Sequence, residues 1–346
     1  MRVPTCQLQH GFGEDARDVI PYPRQSIELQ KDAEAFYGRH GVNILATCTP
    51  YQVGNLPTFG EHCAWMESSA VIYANSVLGA RTNCEGVAST GAASLTGKIP
   101  CAGNHKDENR RGTHLIHVDP KARVDSFLDW GMLGYFAGGI AGEDHPVITG
   151  DIARPDLTDL KHFGAAAATS GGVELYHIPG ITPEAPTLDA AFRGPPPSSA
   201  EYAYGPAERL GVYSTLNEIG DSPAVDFVLL GCPHASVDQV RQVAAALDGR
   251  RLHGSTELWI MVPRALREVA DRSGYTAVIQ QAGGKVLTDS CPAMSRTAPK
   301  GTRVFATDSA KQAHYLPAIL GIEAWFGTTA ECVDAAITGT WRGELQ

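Results

Sequence analysis

The sequence predicts an α/β protein with mostly parallel sheets flanked by helices. Two observations lead to this prediction. Apolar runs of strand length alternate with helical segments through the second half of the chain, a rhythm typical of parallel sheets buried between helices. Hydrophobic residues also make up 43% of the 346 residues and charged residues 19%, so the chain has enough apolar side chains for a sizeable core.

Residues 1–192 mix short helical stretches with turns that contain Gly, Asn and Thr. The run VNIL at 42–45 indicates a short strand, and AVIYANSVLGA at 70–80 indicates a helix. The segment 193–205 begins with Arg-Gly-Pro-Pro-Pro-Ser-Ser, a stiff polar composition typical of a connector. We therefore predict an N-terminal α/β region at 1–192, a Pro/Ser-rich connector at 193–205 and a C-terminal α/β region at 206–346.

The C-terminal region has a strand–loop–helix rhythm. The first helix is expected to begin at Ser236 as N-cap, with Gln239 in the capping-box position. The predicted strands are 224–230, 258–262, 285–289 and 303–306, and two further helices are predicted at 264–272 and 309–320.

Charge and hydropathy exclude several classes of partner. The net charge is −10 and no run of Lys or Arg occurs, which argues against nucleic acid or an anionic membrane as the main partner. No apolar stretch of about 18 residues predicts a membrane span. The first residues, MRVPTC, lack the apolar segment of a secretory signal. We therefore expect a cytoplasmic protein, whose eight cysteines are thiols, thiolates or metal ligands.

Three cysteines follow predicted strands. Cys232 and Cys291 each lie one or two residues beyond a strand end and directly before a proline, and Cys48 follows VNIL. Ligands of open α/β sheets bind beyond the carboxyl ends of the strands, so the positions of Cys232 and Cys291 predict that both lie at one rim. Buried, inert thiols are the alternative explanation.

Residues 46–110 contain a dense set of amides, hydroxyls, carboxylates and an arginine among apolar residues, which is typical of a small-molecule pocket. Taken singly, each of these residues also has an ordinary structural explanation, such as a surface charge or a helix cap.

The chain resembles the aconitase X family. The resemblance rests on CTPYQVGNLPTFGEHCAWMESSAVIYANSVLGARTNCEG at 48–86, GCPH at 231–234 and DSCP at 289–292, and it extends over nearly the whole chain. It implies an aconitase-like fold and an iron–sulfur cluster of unspecified nuclearity. It also implies that Cys48, Cys232 and Cys291 are the cluster ligands, with Cys84 as the runner-up. The remaining cysteines are expected to be structural: Cys6, Cys63, Cys101 and Cys332.

By the same resemblance, the activity is dehydration of a small hydroxy acid by a hydro-lyase. The described substrates of the family are cis-3-hydroxy-L-proline, our first expectation, and 5-phosphomevalonate, the alternative. A neutral Cys at position 84 favours the unphosphorylated substrate slightly. The family also needs a small swivelling domain, fused or separate, and a further stretch before the segment that begins here near Val3. We therefore expect a small partner subunit.

Removal of water requires loss of a proton α to a carboxylate and departure of hydroxide. An iron with an open coordination position would act on the hydroxyl as a Lewis acid, and an arginine would hold the carboxylate. The candidates for acid–base catalysis are Glu61, His62, Ser76 and His234. The candidates for substrate binding are Tyr51, Asn55, Asn75, Arg81, Asn83 and Arg110.

Other functions remain open at this point. Cys232 or Cys291 would act as a nucleophile with His234 as base in a thiol enzyme without metal. A structural metal site, for example zinc, would only stabilise the fold. A catalytically silent scaffold subunit would keep the fold and bind the small partner.

Overall fold

The structure is a computed structural model that describes the whole chain except residues 9, 10, 12, 17, 18, 21, 197–199 and 218–221. The strands are β1 (Thr5–Cys6), β2 (Val42–Asn43), β3 (His114–Val118), β4 (Pro146–Gly150), β5 (Glu201–Tyr204), β6 (Phe227–Leu230), β7 (Glu257–Val262), β8 (Lys285–Thr288), β9 (Val304–Thr307) and β10 (Glu323–Phe326). The helices are α1 (Arg24–Arg39), α2 (Ser68–Ser76), α3 (Val87–Thr96), α4 (Phe127–Ala141), α5 (Leu157–Ser170), α6 (Leu188–Phe192), α7 (Pro206–Leu216), α8 (Val237–Leu247), α9 (Arg264–Arg272), α10 (Tyr275–Ala282), α11 (Pro292–Ser295), α12 (Ala310–Leu320) and α13 (Thr329–Thr338).

The chain forms two compact units. The first comprises Met1, Val3–Gly54 and Leu216–Gln346, and the second comprises Arg2 and Asn55–Thr215. Within the described residues, no helix is both long and apolar enough to cross a membrane.

The first unit is built on a five-stranded sheet in the order β10-β9-β6-β7-β8, and every neighbouring pair is parallel. Strands β6 and β9 are buried throughout, because they lie inside the sheet and are covered on both faces. From β6 the chain continues outward through β7 and β8 and then returns to β9, so the strand order reverses between β6 and β9. Such a reversal opens a crevice beyond the carboxyl ends of the strands. The predicted α/β class with parallel sheets is confirmed.

The predicted elements of this unit lie within a few residues of the observed ones. Helix α8 has Ser236 as N-cap, and Gln239 completes the capping box, as predicted. Helix α9 has the predicted bounds. The sequence analysis missed β10, an edge strand that alternates buried and less buried residues instead of forming a continuous apolar run.

Residues 3–54 group with the five-stranded sheet, whereas the sequence division placed them with residues 55–192. They belong to the same unit as the sheet, because the backbone N–H of Gly13 donates to Ser290 Oγ at 2.7 Å and that of Thr288 donates to Asp15 Oδ2 at 3.0 Å. The predicted connector also contains strand β5, and its Pro197, Ser198 and Ser199 lie outside the described residues.

The second unit contains a three-stranded parallel sheet in the order β4-β3-β5 and the tightly packed pair α4 and α5. Small residues allow these two helices to approach closely. A Cβ at Gly134 of α4 would lie 2.3 Å from the carbonyl oxygen of Phe163 in α5, so only glycine fits there.

A buried arginine fixes the loops of the second unit. The side chain of Arg110 is inaccessible to solvent, and its Nε pairs with the Glu184 carboxylate at 2.9 Å. Its Nη1 donates to Asn75 Oδ1 and the Asn104 carbonyl, and its Nη2 donates to the carbonyls of Asn75 and Ala80. These bonds use all five donors of the guanidinium. The network therefore joins α2 to the loop that contains Asn104.

Replacing Arg110 is expected to destabilise the protein strongly. Arg110→Gln would leave Glu184 as a largely buried carboxylate without its partner, a loss of roughly 3–5 kcal/mol in the free energy of unfolding. Urea denaturation followed by circular dichroism measures this loss. The exposed neighbour Arg111 supplies the control, because Arg111→Gln should change stability by no more than about 0.5 kcal/mol. Equal denaturation midpoints for the two variants would contradict the structural role of Arg110.

Candidate active site

Each of the three predicted ligand cysteines follows a sharp backbone turn in the first unit. Ala46 has φ +46° two residues before Cys48, Gly231 has φ +84° directly before Cys232, and Asp289 has φ +59° two residues before Cys291. For Ala46 and Asp289 this left-handed conformation costs about 1–3 kcal/mol each, and such strain is concentrated at functional sites.

The three cysteine turns converge on the buried side chain of His234, which is 2% exposed. Its backbone N–H donates to Cys48 Sγ at 3.3 Å. Its ring Nδ1 lies 2.9 Å from Thr47 Oγ1, and its Nε2 lies 3.0 Å from the carbonyl oxygen of Ser290, the residue before Cys291. Since His234 also follows Cys232 by two residues, it contacts or adjoins all three cysteine segments.

The three cysteines are residue types that suit an iron–sulfur cluster. Within the described part of the chain, no group of three or more His, Cys, Asp or Glu side chains is placed to hold one metal ion. In a cluster, however, each thiolate binds a different iron atom, so its ligands lie farther apart than those of a single ion. Cys48 is buried and Cys232 and Cys291 are partly exposed, and none of the three is in a disulfide. Three thiols at the rim of a parallel sheet are a suitable donor set for such a cluster.

Two of the cysteines predicted to be structural have the properties of inert thiols. Burial raises the pKa of Cys63 to about 12, with Glu61 adding to the effect, and raises the pKa of Cys332 well above its usual range. Both therefore stay protonated at neutral pH, and thiols are poor metal ligands. Cys84, the runner-up ligand, belongs to the second unit, where its Sγ contacts the carbonyl of Met66 at 3.5 Å.

Arg81, in the second unit, is a partly exposed arginine that uses only some of its hydrogen-bond donors within the described residues. Its Nη1 donates to the carbonyl of His105 at 3.2 Å, and its Nη2 forms a short ion pair with Asp107. Hydrogen bonding from Arg81 lowers the pKa of Asp107, so this carboxylate stays ionised. Within the described residues, the other three donors of the guanidinium have no protein acceptor, in contrast to the five occupied donors of Arg110.

A pair of histidines lies beside Arg81. The Nδ1 atoms of His62 and His105 are 3.0 Å apart and the rings are stacked. Burial and the neighbouring His62 lower the pKa of His105, so its ring is neutral at pH 7. Its Nε2 is buried without a hydrogen-bond partner in the described residues.

Other predicted site residues belong to the scaffold. Ser76 Oγ accepts the backbone N–H of Tyr176 at 2.9 Å and is buried. Asn75 and Arg110 are occupied by the buried network described above. We therefore assign these three side chains to the fold and not to the substrate, because binding a substrate would leave their present partners buried and unpaired.

The remaining predicted site residues have more varied surroundings. Glu61 is exposed and accepts the Thr58 backbone N–H at 2.9 Å. Asn83 Oδ1 accepts the Asn104 N–H at 2.8 Å. Asn55 is partly exposed, whereas Tyr51 is buried in a 3₁₀ helix shortly after Cys48. Asn83 also lines a cavity of about 350 Å³ in the second unit, together with Gly103, Asn104, Asn109, Glu143, His145, Gly172 and Glu174.

The sequence analysis missed four residues that contact the candidate residues. Thr47 and Ser290 directly precede Cys48 and Cys291, and a polar residue before each cysteine was the available signal. His105 and Asp107 contact His62 and Arg81, and they stand in the polar run His105–Arg110. The local sequence does not indicate which residues of that run are buried and which contact the candidate residues.

The chain matches known proteins along most of its length. The aconitase X first, second and third domain models match residues 1–108, 112–207 and 225–338. The phosphomevalonate dehydratase large subunit of Methanothermobacter thermautotrophicus is 41% identical over 314 residues, which cover 91% of this chain and 73% of that protein. A cis-3-hydroxy-L-proline dehydratase of Hypocrea jecorina is 39% identical over 298 residues, which cover 85% of this chain and 50% of that protein.

A solved structure is also similar. The crystal structure of Thermococcus kodakaraensis aconitase X in its holo-form matches with a TM-score of 0.83 at 35% identity, over 96% of this chain and 81% of that one. Dehydratases are hydro-lyases, so the names of the relatives confirm the predicted enzyme class. With three domain models along its length and relatives at about 40% identity, the chain belongs to the aconitase X family.

Proposed function

We propose that the chain dehydrates a small hydroxy acid with the help of an iron–sulfur cluster held by Cys48, Cys232 and Cys291. One observation carries the proposal: three cysteines from distant segments lie in turns that converge on one buried histidine, at the carboxyl edge of a parallel sheet. A cytoplasmic location is part of the proposal, because thiolate ligands persist in a reducing compartment.

When bound, a cluster with three thiolate ligands supplies an iron that has an open coordination position and acts as a Lewis acid on the substrate hydroxyl. Arg81 is our candidate for the substrate carboxylate, since its three remaining donors suit bidentate binding. Its charge would also stabilise the negative charge that develops as the α-proton leaves. Glu61 and His62, both exposed, remain the candidate bases.

The substrate that we favour is cis-3-hydroxy-L-proline. A phosphorylated substrate needs cationic groups beyond the carboxylate ligand. Arg110, a predicted substrate-binding residue, is fully occupied by buried protein acceptors, and of the pair at 110 and 111 only Arg111 is exposed. 5-Phosphomevalonate stays the second candidate, because relatives named for either substrate are similarly close to this chain. Relatives named as large subunits support a small partner subunit, as predicted.

The alternative functions fit the geometry less well. A thiol enzyme would need His234 as base, but both of its ring nitrogens contact protein atoms. A structural zinc site would need several ligands around one ion, and the described residues offer no such group. A silent scaffold subunit is distinguished by activity alone.

Serine replacements test the ligand set. After anaerobic reconstitution, Cys48→Ser, Cys232→Ser and Cys291→Ser should each lose most of the iron and acid-labile sulfide of the wild type, because a hydroxyl is a poor ligand for iron in a cluster. Metal analysis and the visible spectrum measure this loss. Cys84→Ser and Cys101→Ser, at exposed thiols, should keep the wild-type content. If Cys84→Ser loses iron while one of the three keeps it, Cys84 is a ligand instead.

Arg81→Gln tests the carboxylate ligand. Removing a charged hydrogen-bond donor should raise KM for the hydroxy acid by about 10–100-fold. Steady-state kinetics separates this effect from kcat. Asp107→Asn removes the ion pair but keeps the guanidinium, so its KM should stay closer to that of the wild type. Equal damage from both variants would mean that the ion pair only supports the fold.

The substrate is tested directly by incubation with the candidate small subunit. We expect loss of the hydroxyl-bearing carbon signal of cis-3-hydroxy-L-proline in NMR spectra, with little change in 5-phosphomevalonate. The reverse preference would select the second candidate. An iron-loaded protein that turns over neither compound, with the partner present, would favour the silent scaffold.

A further inference from the structure

We propose that His234 is a positioning residue, which holds the turns of Cys48, Cys232 and Cys291 in place for the cluster and transfers no proton to the substrate. The inference rests on the proposed function for its purpose. The residues concerned all belong to the first unit.

The ring contacts define the tautomer of His234. The carbonyl oxygen of Ser290 can only accept, so Nε2 of His234 carries a hydrogen and donates to it. In the neutral tautomer that has its hydrogen on Nε2, Nδ1 accepts the hydroxyl hydrogen of Thr47. Thr47 Oγ1 is in turn 3.1 Å from both the backbone N–H and the hydroxyl of Thr49, which supply its donors. Every polar atom of this group is therefore satisfied by one set of hydrogen positions.

The backbone of His234 adds two further bonds to the Cys48 segment. Its N–H donates to Cys48 Sγ, and its carbonyl accepts from Gln52 Nε2 at 3.1 Å. The segment that contains Cys232 therefore forms one hydrogen bond to Cys48 itself and a second one to Gln52, which lies four residues later.

The third segment is fixed independently. Ser290 Oγ accepts the Gly13 N–H at 2.7 Å and donates to the Thr288 carbonyl at 2.9 Å. The ring of His234 thus connects the Ser290 segment, which these two bonds hold, to the turn that is strained at Ala46. Thr47, Thr49, His234 and Ser290 are all at most 2% exposed. Loss of the ring would leave the Thr47 hydroxyl and the Ser290 carbonyl without these partners in a buried place, which favours opening of the Cys48 turn.

Thiol accessibility in the cluster-free full-length protein tests this role without any measurement of activity. The variants are His234→Phe, which fills the space without hydrogen bonds, His234→Gln, which keeps an amide donor, and Thr47→Val, which breaks the ring contact from the other side. The rate at which N-ethylmaleimide modifies Cys48 under native conditions is measured by mass spectrometry. Cys332, buried in the core of the same unit, is the internal control for general loss of the fold.

We expect His234→Phe to raise the Cys48 rate about tenfold or more, with Thr47→Val and His234→Gln between it and the wild type and with Cys332 unchanged. Because Thr47→Val and His234→Gln both break the Thr47 contact, their effects should not add in the double variant. A wild-type Cys48 rate in both His234→Phe and Thr47→Val would overturn the inference. A parallel rise of Cys48 and Cys332 would also overturn it, since it indicates ordinary destabilisation. If His234→Phe does not fold, the rate of Cys48 modification in Thr47→Val tests the inference by itself.

The reconstituted protein gives a second readout. Iron release to a chelator should be about tenfold faster in His234→Phe, with a changed visible or paramagnetic resonance spectrum. If the wild type takes up no iron and sulfide, the proposed function fails while the maleimide rates still test the positioning. If the wild type assembles a cluster and the variants match it in spectrum, iron release and maleimide rates, only the role of His234 fails.

Discussion

The hydrogen bonds of the buried His234 ring are the constraint on which the proposed cluster site depends. The ring joins a turn at residues 46–48 to a strap at residues 288–291, and its own backbone lies in the turn after β6. These hydrogen bonds contribute strongly to stability because the site is buried. A polar atom that loses its partner there cannot form a hydrogen bond to water instead. The strained backbone at Ala46 and Asp289 persists for the same reason: surrounding contacts determine the turns more strongly than local preference does.

Two arginines of the second unit, Arg81 and Arg110, show how burial gives opposite roles to one residue type. Arg110 has five donors bonded within the protein and an ion pair with Glu184, so its charge serves the fold. Arg81 is partly exposed and has two donors engaged, so its remaining donors can bind an anion. The pKa of His105, lowered by burial and by His62, keeps a neutral ring beside that charge. An anionic substrate at Arg81 would therefore meet a permanent cation beside a neutral imidazole ring.

Much of the architecture was predictable from local patterns. Apolar runs located β6 and β7, and the Ser236–Gln239 capping box located the start of α8. The positions of Cys232 and Cys291 after strand ends followed from the same patterns. Edge strand β10 was not predictable in this way, because its partly exposed residues lack a continuous apolar run. Nor was the assignment of residues 3–54 to the C-terminal unit, which rests on contacts such as the one between Gly13 and Ser290.

The sequence by itself determined the α/β class, the start of α8 and the three cysteines that follow predicted strands, because periodicity and capping act over a few residues. Only the tertiary structure decided which polar residues serve the fold and which remain open for chemistry. Arg81 and Arg110 are the same residue type, yet only Arg110 is fully buried. Ser76, another predicted site residue, is buried, whereas Glu61 is exposed. The contact of Thr47 with His234 spans 187 positions in the chain, and no local pattern encodes a hydrogen bond over that separation.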